Sequence, residues 1–326
     1  MMQSTDYQFW RGRRVLLTGG NGFVGRNLRP MLERTGCVLL KPLRSDYDLL
    51  QQAAIRKMLA DTRPDIVLHL AALSGGIMAN KKQPAEYCYQ NLFMGTSMLH
   101  ESWQAGVKKY VTLMGGCSYP AQATNPIKEE DLWNGYPQAE SAPYSTAKKM
   151  AVVQTEAYRR QYGFDAIVLV PGNLYGPHDN FDLQASHVIP ALIRKYHEAR
   201  LTNAEEVVAW GTGRAVRDFV FAEDVCEAIV LAAEKYSEAD IINISSGVPV
   251  TIRQLVELVA ELTQYKGRIA WDTTKPEGQL LKGFDVTRMK TKLGFTPTTT
   301  LREGLAKTIA WFEKSYDSAR LNVAST

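Results

Sequence analysis

The chain has 326 residues, enough for one or two domains with a large core, and 45% of them are apolar, yet no apolar run reaches the roughly 18 residues of a membrane span. A net charge of +4 is too mild to imply nucleic acid and suits an anionic substrate. Four scattered cysteines, Cys37, Cys88, Cys117 and Cys226, have neither metal nor disulfide spacing, so no metal is expected; with a polar start from Met1 to Arg13 that lacks an apolar h-region, they suit a reducing cytoplasm.

Arg14 to Thr18 is a short apolar stretch that reads as a buried strand. It runs into Gly19-Gly20-Asn21-Gly22-Phe23-Val24-Gly25. A helical pattern follows, with Leu28, Met31 and Leu32 apolar and Gly36 as its C-cap. Strand, glycine turn and helix in that order are the context a dinucleotide site needs. The glycines let the backbone approach a pyrophosphate, and the helix N-terminus offers N–H donors and a favourable dipole. Glycines 19, 22 and 25 give GxxGxxG, unlike the GxGxxG of many dehydrogenases. After the second strand, Leu39 to Arg44 lacks the acidic residue that binds a ribose 2′-OH. It offers Lys41 and Arg44 for a 2′-phosphate instead, which points to NADP(H) over NAD.

Asp65 to Ala72, Lys109 to Met114 and Phe164 to Val170 read as further buried strands, the last after a helix that Gly163 ends. Long helices are expected over 84–106 and 143–162. This is the βαβ rhythm of an α/β fold with a Rossmann-type, doubly wound parallel sheet. Beyond about Tyr175 the rhythm breaks, and Pro177, Pro190, Gly211, Gly213 and Pro249 punctuate shorter elements. Thr251 with Gln254, and Thr300 with Glu303, mark capping boxes of two late helices. The expected division is a dinucleotide-binding domain over 12–175, returning around 215–245, and a smaller C-terminal α/β substrate lobe over 176–214 and 246–320.

Tyr144-Ser145-Thr146-Ala147-Lys148 sets a tyrosine and a lysine four apart, on one helical face. A lysine charge there favours the phenolate and brings the phenol nearer to usable acid–base strength. Of the five histidines, His69 reads as a packed core residue, His178 and His197 as surface or loop, and His100 as helix surface.

Taken together, the segments resemble the GDP-L-fucose synthases of the extended short-chain dehydrogenase/reductase group, epimerase/reductases of GDP-4-keto-6-deoxymannose. The matching motifs are Gly75 to Asn80, Cys117 to Pro120, Tyr144 to Lys148, Pro171 to Phe181 continuing through Ser186 to Lys195, Trp210 to Gly213, and Arg217 to Phe219. The resemblance spans roughly residues 12 to 315, and its most specific block is 171–195. It implies NADP-dependent chemistry on a GDP-sugar by a homodimer that pairs two long helices per subunit. Tyr144 would be the proton donor for ketone reduction, and Lys148 its partner on the nicotinamide ribose. Cys117 and His187 would be the acid/base pair that inverts C3 and C5. Gly19, Asn21, Gly22, Phe23, Val24, Gly25, Arg44, Leu70, Ala71, Ala72, Pro171, Asn173 and Leu174 would line the cofactor. Asn173, His187, Lys195, Trp210, Arg217 and Glu277 would hold the substrate.

One position departs from that pattern. Where the group usually has a serine or threonine whose hydroxyl bonds the reacting carbonyl, this chain has Gly115. Ser118 is near, but strand alternation would turn it to the other face. Loss of such a donor commonly costs on the order of 10²-fold in rate. The same residues also admit a related 4-reductase, or a 3,5-epimerase or 4-dehydrogenase with tightly held NAD. A redox-sensing regulator would typically have lost the Tyr/Lys pair, which this chain keeps.

Overall fold

The computed structural model describes residues 5–183, 185–274 and 279–316. The first half runs α1 (Tyr7–Trp10), β1 (Arg14–Thr18), α2 (Phe23–Arg34), β2 (Val38–Leu40), α3 (Gln52–Thr62), β3 (Ile66–His69), α4 (Ile77–Lys82), α5 (Pro84–Gln104), β4 (Lys109–Leu113), α6 (Ala142–Tyr162) and β5 (Ala166–Pro171). The second half runs β6 (Asn173–Tyr175), α7 (Val188–Leu201), β7 (Glu206–Trp210), β8 (Val216–Phe221), α8 (Ala222–Lys235), β9 (Ile242–Ile244), β10 (Pro249–Thr251), α9 (Ile252–Leu262), β11 (Arg268–Asp272), β12 (Leu281–Lys282) and α10 (Leu301–Lys314).

Six strands form one parallel sheet in the order β2-β1-β3-β4-β5-β9. Strand alternation in β1 assigns its two faces. Val15 and Leu17 meet Leu28, Met31 and Leu32 of α2 and Val225 and Ile229 of α8. Leu16 turns the other way, to Ile55, Met58 and Leu59 of α3 and Met98 and Leu99 of α5. Helices therefore cover both faces, as a doubly wound sheet requires. The chain leaves β1 for β2 on one side and for β3 on the other. A crevice opens at that switch point, outside the carboxyl ends of the strands. The expected strand over 65–72 is trimmed to Ile66–His69, because Leu70 to Ala72 leave the sheet at this crevice.

The other strands make two small sheets. In one, β8 pairs with β6, β10 and β12. In the other, β7 pairs with β11. Phe181, Ile193, Tyr196, Leu255, Val259, Ile309 and Phe312 fill the core beneath them. Both expected capping boxes are present, Thr251 with Gln254 and Thr300 with Glu303. The chain crosses back to the parallel sheet with α8 and β9, and again at Val286, Met289 and Leu293.

One histidine differs from its sequence reading, and His178 lies in a loop as read. His197 is not at the surface: it is 4% exposed, its ring packs on Phe312 and Tyr316, and burial pushes its imidazole down. Its position on α7 puts it on the stripe that Ile193 also occupies, four residues earlier, which faces the lobe core. His178 lies in a loop at φ +68°, half-buried against Trp311.

Candidate active site

The glycine turn is held by close approach. Gly19 has φ +69°, and a Cβ there would lie 2.7 Å from the Ala71 nitrogen. A Cβ on Gly25 would lie 2.3 Å from the Gly19 oxygen. Gly22 caps α2 without a side chain and donates its N–H to the Gly19 carbonyl at 2.9 Å. The first amides of α2, from Phe23, Val24 and Gly25, head the helix and face the crevice mouth, where an anion is stabilised. Asn21 is fixed by Arg26 and Arg29. Thr18 ties β1 to β3: its hydroxyl meets His69 Nδ1 at 2.8 Å and accepts from the Ala71 N–H at 3.3 Å. His69 is fully buried, and burial together with the Lys148 charge drops it to about 3, so it is a neutral core residue as its strand position indicates. At the end of β2, Lys41 is paired with Glu33 at 3.2 Å, while Arg44 is exposed.

Cys117, Tyr144 and Lys148 converge where β4 ends. A single 3₁₀ turn, Gly116–Ser118, follows β4 and packs on α6. Ser145 donates its hydroxyl to the Cys117 carbonyl at 3.1 Å, and Ser118 donates to the Ser145 carbonyl at 3.2 Å. The expectation that strand alternation aims Ser118 away has the right outcome by a different geometry. The backbone here is a helical turn, and the hydroxyl is spent inside it, fully buried. Tyr119 closes the turn through its hydroxyl on Asn243 Oδ1 at 2.6 Å. Gly115 borders both reactive groups: a Cβ there would stand 3.2 Å from Cys117 Sγ and 3.9 Å from the Tyr144 hydroxyl.

Lys148 is 8% exposed, and burial brings its ammonium down to about 8, opposed by Cys117. Tyr144 differs from its sequence reading. Burial first, then the Cys117 and Tyr87 groups, raise its phenol above the ordinary value, and Lys148 is not among the groups that set it. Desolvation outweighs the expected help from the lysine. The phenol therefore stays protonated across the working pH range, which suits a donor.

His187 is the N-cap residue of α7 and is solvent-accessible, and the protein around it lowers its imidazole. Its loop is held to the start of α4 by the Gly76 N–H, which donates to the Ala185 carbonyl at 3.1 Å. Asn173 donates to the Asp218 carbonyl at 2.9 Å and joins the crevice to β8. Pro171 ends β5, and Leu174 packs into the sheet core beside it. Lys195 reaches the Val208 carbonyl on β7, the strand that ends in Trp210, which is 64% exposed. Arg217 is half-buried on β8. Glu277 lies outside the described residues.

Two residues that sequence reading did not single out belong here. Lys282 stands opposite Arg217 in the β12–β8 register. Burial lowers its ammonium, the Cys117 thiol opposing and Arg217 adding to the effect. Tyr87, on α5, packs edge-on against Tyr144, with ring centroids 6.2 Å apart. Neither carries a local signal, because β12 is two residues long and Tyr87 reads as one apolar residue of a long helix. Among the described residues, no group of three or more His, Cys, Asp or Glu could hold a metal, and no helix is long and apolar enough to cross a membrane.

The family described as "NAD dependent epimerase/dehydratase family" matches residues 15–245. A protein of Arabidopsis thaliana named GDP-L-fucose synthase 1 is 39% identical over 306 residues, 94% of this chain and 94% of that one. The crystal structure of a GDP-L-fucose synthetase from Naegleria fowleri bound to NADP is 25% identical with a TM-score of 0.87, covering 95% of this chain and 97% of that one. A GDP-mannoheptose C4 reductase from Campylobacter jejuni with NADP bound is 28% identical with a TM-score of 0.84, covering 93% of this chain and 98% of that one.

Proposed function

The chain belongs to the NAD dependent epimerase/dehydratase family, and from that premise we propose that it inverts C3 and C5 of a GDP-linked 4-keto-6-deoxy sugar and then reduces C4 with NADPH. The observation that carries this reading is the convergence of Cys117, Tyr144 and Lys148 at the end of β4, beside a glycine cradle that only a backbone without Cβ atoms can form.

Gly19 to Gly25, the turn at Leu70 to Ala72 and Pro171 to Leu174 would hold the dinucleotide, and Arg44 would meet a ribose 2′-phosphate. NADPH bound there supplies the hydride for C4. The lobe of 12–175, with its return at about 215–245, holds the dinucleotide. The lobe of 176–214 and 246–320 holds the sugar nucleotide. Support for this division is that α8 and β9 pack on the parallel sheet, whereas β7, β8, α7, α9 and α10 share a separate core. Lys195 and Trp210 take the nucleotide. Arg217, with Lys282 opposite it, takes the diphosphate, where two adjacent cations suit two charged phosphates.

The C4 ketone acidifies the C–H bonds at C3 and C5. Cys117 and His187 exchange those protons, one removing and the other returning on the opposite face, through an enolate whose charge sits on the C4 oxygen. A neutral imidazole, which the protein around His187 favours, can accept a proton. Tyr144 then gives its phenolic proton to the C4 oxygen as the hydride arrives, and the Lys148 ammonium stabilises the phenolate that remains.

The test is turnover of GDP-4-keto-6-deoxymannose with NADPH in excess. One NADPH should be oxidised per sugar. A protein that isolates with NAD and epimerises a nucleotide sugar without net NADPH loss would replace this reading with that of a 4-epimerase.

A further inference from the structure

Gly115 leaves the candidate site one hydroxyl short, and α5 supplies another. Tyr87 sits in the first turn of α5 and packs its ring edge-on to Tyr144, 6.2 Å between centroids with the planes at 71°. The residue is 4% exposed, and its phenolic hydroxyl keeps some accessible surface. That hydroxyl has no hydrogen-bond partner among the described residues, and burial alone raises it.

The surroundings are shaped to admit it. A Cβ on Gly75 would lie 2.4 Å from the Tyr87 hydroxyl, so any larger residue there would push the phenol aside. The next residue, Gly76, bonds the loop that leads to His187. Tyr87 thus stands between the Tyr144 ring and the backbone that carries His187. The gap at Gly115 opens on the same Tyr144 phenol, 3.9 Å from its oxygen.

We propose that the Tyr87 phenol donates a hydrogen bond to the C4 oxygen of the bound ketosugar, in place of the hydroxyl that position 115 lacks. This rests on the reading that C4 is reduced beside Tyr144. Tyr87 transfers no proton. It holds the oxygen while charge develops there, first in the enolate of epimerisation and then in the alkoxide of reduction. A raised phenol is the right species, because it remains a donor at every working pH. Each step that builds charge on that oxygen should therefore depend on Tyr87, whereas only the last depends on Tyr144.

The test is Tyr87→Phe, which keeps the ring and removes the hydroxyl. Deuterium exchange at C3 and C5 and single-turnover NADPH oxidation should both fall, each by about 10- to 100-fold. Tm and the NADPH Kd should not change. Adding Gly115→Ser to Tyr87→Phe should recover at least ~10-fold of both rates, a coupling that a packing role would not produce. In a wild-type background that turns over the sugar, unchanged rates in Tyr87→Phe overturn the proposal. So does a loss of reduction alone with exchange intact, or a loss that Gly115→Ser fails to recover while Tm and NADPH binding are unchanged. A Gly115→Ser protein that has itself lost NADPH binding is replaced in the cycle by Gly115→Thr, judged by the same recovery. If the wild-type chain oxidises no NADPH with this sugar, the underlying reading fails, and Tyr87 is then judged by exchange alone, where an unchanged rate again overturns it.

Discussion

Cys117 and Tyr144 lie close together, yet their chemistry separates cleanly. On the proposed function the thiol serves a proton on carbon, whereas the phenol serves the oxygen on C4. Cys117→Ser is expected to slow deuterium exchange at C3 or C5 by at least ~10²-fold while leaving the NADPH Kd intact, and Tyr144→Phe to stop hydride transfer while exchange persists. NMR of the sugar in D₂O measures both; full-rate exchange in Cys117→Ser would remove the thiol from its role. Lys148 adds a pH signature. Burial pushes its ammonium down to about 8, so the charge proposed to stabilise the phenolate that Tyr144 leaves is lost as pH rises through that value. Single-turnover NADPH oxidation should fall above about pH 8, and Lys148→Met should be slower but lack that limb. Stability should move the other way. In the folded state the lysine is depressed from 10.5, so between about 8 and 10.5 the unfolded chain binds more protons. By linkage this group then makes the fold more stable as pH rises, so its own titration does not unfold the protein.

At the scale of elements, the sequence was most legible where the signal is local. Strand, glycine turn and helix over 14–34, and the four-residue step from Tyr144 to Lys148, are written in neighbouring residues, and the structure has both. Gly163 at φ +65° ends α6 where its place in the sequence indicates. What failed was non-local. Ser118 was read as strand and lies in a 3₁₀ turn, because packing on α6 bends the chain directly after β4. Tyr87, Lys282 and His197 are placed by how α5, β12 and α7 pack, and no spacing along the chain records that. α5 and α6 are also the helices that the expected homodimer would pair. α5 exposes Tyr89 and Leu92, with Phe93 part-buried beside them on the same helical face, and α6 exposes Val153. A homodimer pairing α5 and α6 into a four-helix bundle would cover that face. Light scattering at micromolar concentration should give twice the chain mass, and Leu92→Glu with Val153→Glu should give the monomer. A monomeric wild-type protein would contradict this.

At the scale of the molecule, the proposed function has two lobes bring a dinucleotide cradle and an acid–base cluster to one crevice. The cradle should prefer NADPH. Arg44 is exposed at the end of β2, and no acidic side chain lies between Leu39 and Arg44 to bind a ribose 2′-OH. Measured Kd values should favour NADPH over NADH, with Arg44→Ala cutting the difference by about tenfold, the worth of one charge-assisted bond. The central claim joins both halves of the crevice in a single product. GDP-4-keto-6-deoxymannose is turned over by the wild-type chain in D₂O with NADPH labelled on its transferable hydride, and the sugar is read by NMR. The expected product is GDP-L-fucose, with solvent deuterium at C3 and C5, inverted configuration at both, and the label at C4. A C4-labelled sugar with C3 and C5 unexchanged and uninverted would contradict it, leaving a reductase without epimerisation.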